Sequence, residues 1–375
     1  MASRFDAMTV GEIIGMLEHW APRDIAWEKD NTGLQCGTPG LRVRGILITL
    51  DPTTESIHEA RRFGANLIIT HHPLLFQPLR SVNPSGRVGR MLSLLLRHEI
   101  ALYGAHTSVD FTHGGTSHVL AERLGLRETA FLHQPYRLQR KLVTFVPHAA
   151  VERVAAAMAA EGAGEIGKYD HCSFRLAGRG TFRGSDSSHP AVGTAGRREE
   201  VDETRLEMVV PAPRVERVVR ALRRSHPYEE VAFDILPTAN TSEEYGSGVV
   251  GTLPRPVSLE AFLARVKRTL RVRRLRWCGN PRARVQTVAV CGGSGGELLE
   301  HAVGAGADVF LTADLRYHAF HDADGRIALI DAGHYETELP VVERIAERLT
   351  EALRTRGVSL PVRISTTSTN PVQYS

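Results

Sequence analysis

The sequence predicts an α/β protein in which two related α/β halves build one metal-binding domain, with a separate α+β domain inserted between them. Three observations carry that expectation. Short apolar strand runs alternate with segments of helical spacing, as βαβ units in a mostly parallel sheet require. The alternation occurs twice with matching residues. Gly64-Ala-Asn-Leu-Ile-Ile-Thr70 parallels Gly306-Ala-Asp-Val-Phe-Leu-Thr312, and His106-Thr-Ser-Val-Asp110 parallels His334-Tyr-Glu-Thr-Glu338. The stretch between the copies has its own pattern, so the expected divisions are 1–134, 135–237 and 238–375.

In the first half, Thr9 to Trp20 has helical spacing, opened by Thr9 and Glu12 as a capping box. The turn Glu28-Lys-Asp-Asn-Thr-Gly33 leads into Leu34-Gln-Cys-Gly37. Strands are expected at Gly45–Leu50, Asn66–Thr70 and Ile100–Tyr103, with helices at Thr54–Phe63 and Val88–Glu99. The second half repeats the plan. Strands are expected at Val285–Val290, Asp308–Thr312 and Ile327–Asp331, with helices at Gly296–Gly304 and Val341–Arg356. In the insert, Lys141–Val146 and Arg205–Val210 read as strands, each followed by a helix (Ala149–Glu161, Pro213–Arg224). A Gly-rich polar stretch runs through Arg197, and the segment His226–Ile235 closes the domain. Strand-helix-strand passed twice is the ferredoxin-like pattern.

Composition narrows the class. With 42% hydrophobic and 23% charged residues, the chain is that of an ordinary globular protein. Acidic residues punctuate Met1 to Asp30, so no signal peptide is expected there. No stretch reaches the length of a membrane helix. The four cysteines are far apart without a C-x-x-C pair, which fits a reducing cytoplasm better than a disulfide framework. The net charge of +4 gathers in arginine runs at Arg214–Arg224 and Arg265–Arg276. Few aromatics interleave with them, so a solvated face is favoured over a nucleic-acid surface.

The chemistry gathers on histidines and carboxylates at strand ends. Leu67-Ile-Ile-Thr-His71-His72-Pro73 puts two imidazoles directly after a buried strand, where α/β sheets place ligands. Neighbouring side chains diverge in extended chain, so His71 and His72 suit two adjacent ions, one each. Asp110 adds a hard oxygen from the loop after the next strand. His334 and Glu338 come from the other half, with Pro340 expected to delay the helix to about Thr337 and leave His334 in a loop. Three imidazoles and two carboxylates suit two divalent transition ions, Zn, Fe or Mn, and argue against Mg or Ca. Two such ions a few ångströms apart do hydrolytic chemistry. His106 is a candidate proton donor or a hydrogen-bonding support. Cys291-Gly-Gly-Ser-Gly-Gly296 opens a helix after a strand and is either a phosphate cradle or a plain tight turn.

Asn31-Thr-Gly-Leu-Gln35, His71-His-Pro-Leu-Leu-Phe76, Gly333-His-Tyr-Glu-Thr-Glu338, the Cys291–Gly296 loop and Asn370-Pro371 together resemble the Nif-three-like dinuclear-metal family, often labelled GTP cyclohydrolase I type 2. The resemblance spans nearly the whole chain. It implies a toroidal homohexamer and a PII/CutA-like insert, which His226-Pro-Tyr-Glu-Glu230 resembles. It also implies that His71 and Asp110 hold one ion, His72 and His334 the other, and that Glu338 bridges. The label implies ring opening of a purine nucleotide such as GTP, a metal-bound hydroxide attacking C8 and releasing formate. One departure is Lys29, which stands before Asp30-Asn31 where a tryptophan or similar residue is common. Two other expectations compete with that reading: a regulatory or adaptor protein that binds partners or nucleic acid, and a phosphoesterase that uses the same ions.

Overall fold

The Thr9 side chain accepts a hydrogen bond from the Glu12 amide while Glu12 reaches back to the Thr9 amide, and this box starts α1 (Val10–Trp20). From there the computed structural model describes residues 8–134 and 138–373. Contacts divide the chain into two compact units, Met1–His133 with Glu244–Ser375, and Gln134–Glu243. Pro135, where the insert was expected to begin, and Met1 to Ala7 lie outside the described residues.

In the larger unit α1 is followed by β1 (Gly33–Cys36), β2 (Ile46–Thr49), α2 (Thr54–Phe63), β3 (Leu67–Thr70), α3 (Arg87–Arg97), β4 (Ala101–Gly104), α4 (His106–Asp110), α5 (Thr116–Leu124) and β5 (Arg127–His133). The insert contains β6 (Gln139–Pro147), α6 (Val151–Ala160), β7 (Phe174–Arg183), β8 (Arg198–Pro211), α7 (Val215–Ser225) and β9 (Phe233–Pro237). The chain then returns with β10 (Ser247–Ser258), α8 (Leu259–Leu270), β11 (Arg276–Cys278), β12 (Arg284–Ser294), α9 (Leu299–Gly304) and β13 (Val309–Ala313). It ends with α10 (Tyr317–Asp322), β14 (Ala328–Asp331), α11 (His334–Glu338), α12 (Pro340–Thr355) and β15 (Val362–Ile364).

The larger unit has a sheet ordered β1-β4-β3-β2-β15 and another ordered β11-β14-β13-β12-β10-β5. In each, three consecutive strands lie parallel in the same order, β4-β3-β2 and β14-β13-β12. Every residue of β2, β3, β4, β13 and β14 is buried. Helices cover both faces, which is why these strands read as unbroken apolar runs. The halves of the chain also trade elements. Strand β5 pairs with β10 in the second sheet, while β15 pairs with β2 in the first. Val341, Ile345, Leu349 and Leu353 of α12 pack with Ile13 and Leu17 of α1 in one core.

The insert forms an antiparallel sheet ordered β7-β8-β6-β9, and α6 and α7 bury Val154, Met158, Val218 and Leu222 against Leu142, Leu206 and Met208. Strand β7 falls in the expected Gly-rich loop. Its residues are almost all exposed, so it lacks the one-sided apolar alternation that marks a strand in sequence. Among the described residues no helix is long and apolar enough to cross a membrane.

Candidate metal centre

Pairing between β2 and β3 runs past the strands: the His71 amide donates to the Thr49 carbonyl (3.2 Å) and the His72 amide to Leu50 (3.0 Å). Pro73 then ends the ladder. This fixes two adjacent imidazoles at the carboxyl edge of the sheet, their ring centroids 4.9 Å apart and tilted by 57°. From β4 and β14 the chain turns into the one-turn helices α4 and α11. Their i, i+4 spacing puts His106 with Asp110, and His334 with Glu338, on one helix face each. The loop positions expected for Asp110 and His334 are corrected here. Pro340 does not delay a helix; it is the first residue of α12, where its missing N–H loses no intrahelical bond.

Glu338 is the hub. Its Oε1 lies 3.7 Å from His71 Nε2, which is 3.6 Å from Asp110 Oδ1. Its Oε2 lies 3.0 Å from His72 Nε2 and 3.1 Å from His334 Nε2, and those two nitrogens are 3.3 Å apart. All five expected ligands are thus drawn together. His71, His72 and Glu338 offer donor atoms mutually within 4.8 Å, a cluster that could hold a metal ion. The donors also lack other partners. Both ring nitrogens of His71, Asp110 Oδ1 and Glu338 Oε2 are buried without a directed hydrogen bond. Leaving such atoms unsatisfied costs about 1–3 kcal/mol each. A cation on one side of Glu338 would satisfy His71 Nε2 and Asp110 Oδ1, and one on the other side would satisfy Glu338 Oε2, so the donor set fits a metal.

A second layer of carboxylates escaped sequence reasoning. Asp51 Oδ1 is 2.7 Å from His72 Nδ1, Asp314 Oδ2 is 2.7 Å from His334 Nδ1, and Asp30 Oδ1 is 2.7 Å from His106 Nδ1. Each pair fixes the ring and its tautomer. The contact turns the Nε2 of His72 and of His334 toward Glu338. Burial alone would depress the His72 pKa, but Asp51 and Glu338 outweigh it and hold that imidazole at about 10. For His334, Glu338 and Asp314 overcome burial in the same way and give about 9. Burial raises the Asp110 carboxyl, while Glu338, despite its burial, is held well below the usual carboxylate range by His71, His334 and His72. Asp30 is likewise buried, yet His106 and Thr107 lower it to about 2.

His106 sits beside the cluster, its ring 5.6 Å from His71 and 5.5 Å from His72. It has a left-handed backbone (φ 30°), as does Asp314 (φ 55°). Such non-glycine conformations are costly and gather at functional sites. The Cys291–Gly296 loop packs its backbone on the centre. A Cβ at Gly293 (φ +66°) would lie 2.0 Å from Glu338 Oε1, and the Gly293 amide donates to Thr337 Oγ1 at 3.0 Å. Cys291 to Ser294 prolong β12, and the chain turns at Gly295 before a short helical segment begins at Gly296. The arginine run of α7 is largely neutralised: Arg214, Arg217, Arg220 and Arg224 face glutamates at 2.7, 3.8, 3.5 and 3.9 Å.

A family model described as Duf34/NIF3 (NGG1p interacting factor 3) matches residues 8–371. A Bacillus subtilis protein named GTP cyclohydrolase 1 type 2 homolog is 39% identical over 365 residues, covering 97% of this chain and 98% of the relative. A Mycobacterium tuberculosis relative of the same name is 36% identical over 371 residues, with 97% of both chains covered. Among solved structures, a Bacillus cereus protein related to NIF3 superposes with a TM-score of 0.86 at 36% identity, covering 99% of this chain and 100% of that one. Staphylococcus aureus protein SA1388 gives a TM-score of 0.76 at 30% identity, with 99% of each chain covered.

Proposed function

This chain belongs to the Duf34/NIF3 family, and on that premise we propose that it is a dinuclear metal-dependent hydrolase that opens the ring of a purine nucleotide, with GTP as the provisional substrate. The observation that carries the proposal is the division of labour at Glu338. One oxygen faces His71, whose Nε2 is also 3.6 Å from Asp110, and the other faces His72 and His334. That arrangement supports two ions, Zn, Fe or Mn, with Glu338 between them. When bound, such ions acidify water and polarise a substrate oxygen or carbon–nitrogen bond.

The chain's own residues do the rest. Asp51 and Asp314 orient His72 and His334. Asp30 occupies Nδ1 of His106 and leaves Nε2 to hand a proton to the departing group, a role worth about 10²–10⁴ in rate. The β-α-β-β-α-β order of the insert supports a ferredoxin-like, PII/CutA-like domain over about 135–237, between metal-binding halves at 1–134 and 238–375. Four free cysteines support a reducing, cytoplasmic setting. The resemblance to the family supports a ring of six copies, which native mass measurement tests.

Metal-loaded protein incubated with GTP should give a ring-opened nucleotide and formate by mass spectrometry. The His72→Ala variant should lose both. The His106→Ala variant should keep its metal and lose the rate. Absence of any product from protein carrying two ions per subunit would overturn the hydrolase reading.

A further inference from the structure

The insert contains a cavity of about 750 Å³ that the metal chemistry does not use. Its floor is the face of the sheet turned away from α6 and α7. On β7 and β8, Gly178 stands directly opposite Glu203 and Leu176 opposite Arg205, while Phe145 of β6 also faces Arg205. Its roof comes from the loop of residues 184–192 and from Tyr228–Ala232. The two loops are tied together, since the His189 amide donates to Glu229 Oε2 at 2.9 Å. Both glycines on β7 are needed for the shape. Nothing lies within 4 Å of a Cβ built at Gly178, whereas one at Gly180 would lie 2.0 Å from Glu203 Oε2. Glycine at 180 therefore lets the Glu203 carboxylate lie flat across the floor, and glycine at 178 leaves the space beside it open.

Glu203 is only 9% exposed. Its Oε1 accepts from the Tyr228 hydroxyl at 2.8 Å, and burial together with Glu203 keeps that phenol protonated far above neutral pH. No donor reaches its Oε2 among the described residues. The neighbouring cations are already engaged. Arg205 donates to Glu207 at 2.8 Å, an acid it shares with Lys141 at 3.0 Å, and Arg179 lies 3.4 Å from both Glu200 and Asp202. None of those three acids lines the cavity. The lining thus carries three acids, Glu203, Glu229 and Glu230, with Arg179 and Arg205, beside the aromatic side chains of Phe145, Phe182 and Tyr228. A buried carboxylate with an open oxygen, set among aromatic faces, selects a positively charged donor on an apolar body.

We propose that this cavity is a binding site for a small organic cation, an amine or amidinium on an apolar or aromatic body, whose N–H groups donate to Glu203 Oε2. The inference is independent of the metal centre and of the hydrolase reading. A single buried carboxylate is too poor a donor set to make the site a metal site.

The test uses the full-length protein and three probes of similar shape: benzamidine, neutral benzamide and anionic benzoate. Calorimetry should show benzamidine saturating one site per chain and binding at least tenfold more tightly than either other probe. The Glu203→Gln variant keeps an oxygen for Tyr228 and should lose at least tenfold in benzamidine affinity. Gly178→Leu fills open space on a strand and should abolish binding while thermal unfolding and metal content stay at wild-type values. Equal binding of benzamide, or full benzamidine affinity in either variant, would overturn the proposal. So would the absence of saturable benzamidine binding to the wild-type protein.

Discussion

The two sheets of the larger unit present the same carpentry with different furnishings. After β3 the chain places His71 and His72; after β13 the residue aligned with His72 is Asp314. After β4 and β14 come one-turn helices carrying a histidine and a carboxylate four residues apart. In the second copy the carboxylate, Glu338, is itself the hub, and His334 lies 3.1 Å from it. In the first copy only Asp110 reaches the hub, through His71, while His106 is held by Asp30 from the turn before β1. The repeat supplies a scaffold that delivers side chains to strand ends. His72, His334 and His106 all hold a carboxylate on Nδ1, so what distinguishes them is the other nitrogen: Nε2 of His72 and of His334 lies at Glu338, 3.0 and 3.1 Å away.

That contrast can be broken from either side. The largest expected effect is at the hub: Glu338→Ala should strip most of the metal from both positions, read by elemental analysis. Removing one oriented partner should be milder. Asp314→Asn should weaken one ion about 10–100-fold while the other stays, and Asp51→Asn should do likewise through His72. His106→Ala should leave the metal content unchanged, which separates the two copies.

A pH series sharpens the same comparison. His72 and His334 have folded values of about 10 and 9, above the ordinary 6.5, so their contribution to the metal-free fold is complete below pH 6.5. It is lost as the pH rises from there through 9 to 10. Chelator-treated protein should therefore lose melting temperature over that window. Metal-loaded protein, whose imidazoles are already deprotonated by their ligand, should change less. A flat melting profile in the metal-free protein would contradict the assignment.

The smallest effect concerns the C-terminal strand. Buried Glu59 accepts from Ser365 (2.5 Å), Thr366 (2.9 and 3.0 Å) and Thr367 (2.9 Å), and despite desolvation these bonds lower its pKa to about 2. Two residues further on, Thr369 donates to Asp51 at 2.6 Å. Glu59→Gln should cost about 1–3 kcal/mol in urea unfolding at neutral pH. The difference from wild type should shrink as the pH falls from 4.5 toward 2, where the native carboxylate protonates.

Much of this was legible before the fold was known. The buried parallel strands announce themselves by continuous apolar runs, and the histidines by standing directly after them. The repeat itself also holds a signal for Asp314: aligning Thr70 with Thr312 sets it opposite His72. Asp30 and Asp51 carry no such mark, because a carboxylate in a turn is ordinary until its partner, 76 and 21 residues away in the chain, is seen. Strand β7 was hidden for a different reason: with both faces open, its sequence Phe-Arg-Leu-Ala-Gly-Arg-Gly has no dry side to advertise. The swap of β5 and β15 between sheets is likewise a tertiary choice, invisible to local periodicity.

The central claim is that one carboxylate joins two separate donor pairs. Anomalous-scattering maps of crystals grown with Zn or Mn test it most directly. Two peaks are predicted, one coordinated by His71 and Asp110, the other by His72 and His334, with Glu338 touching both. A single peak, or two peaks that leave Glu338 unbound, would contradict it.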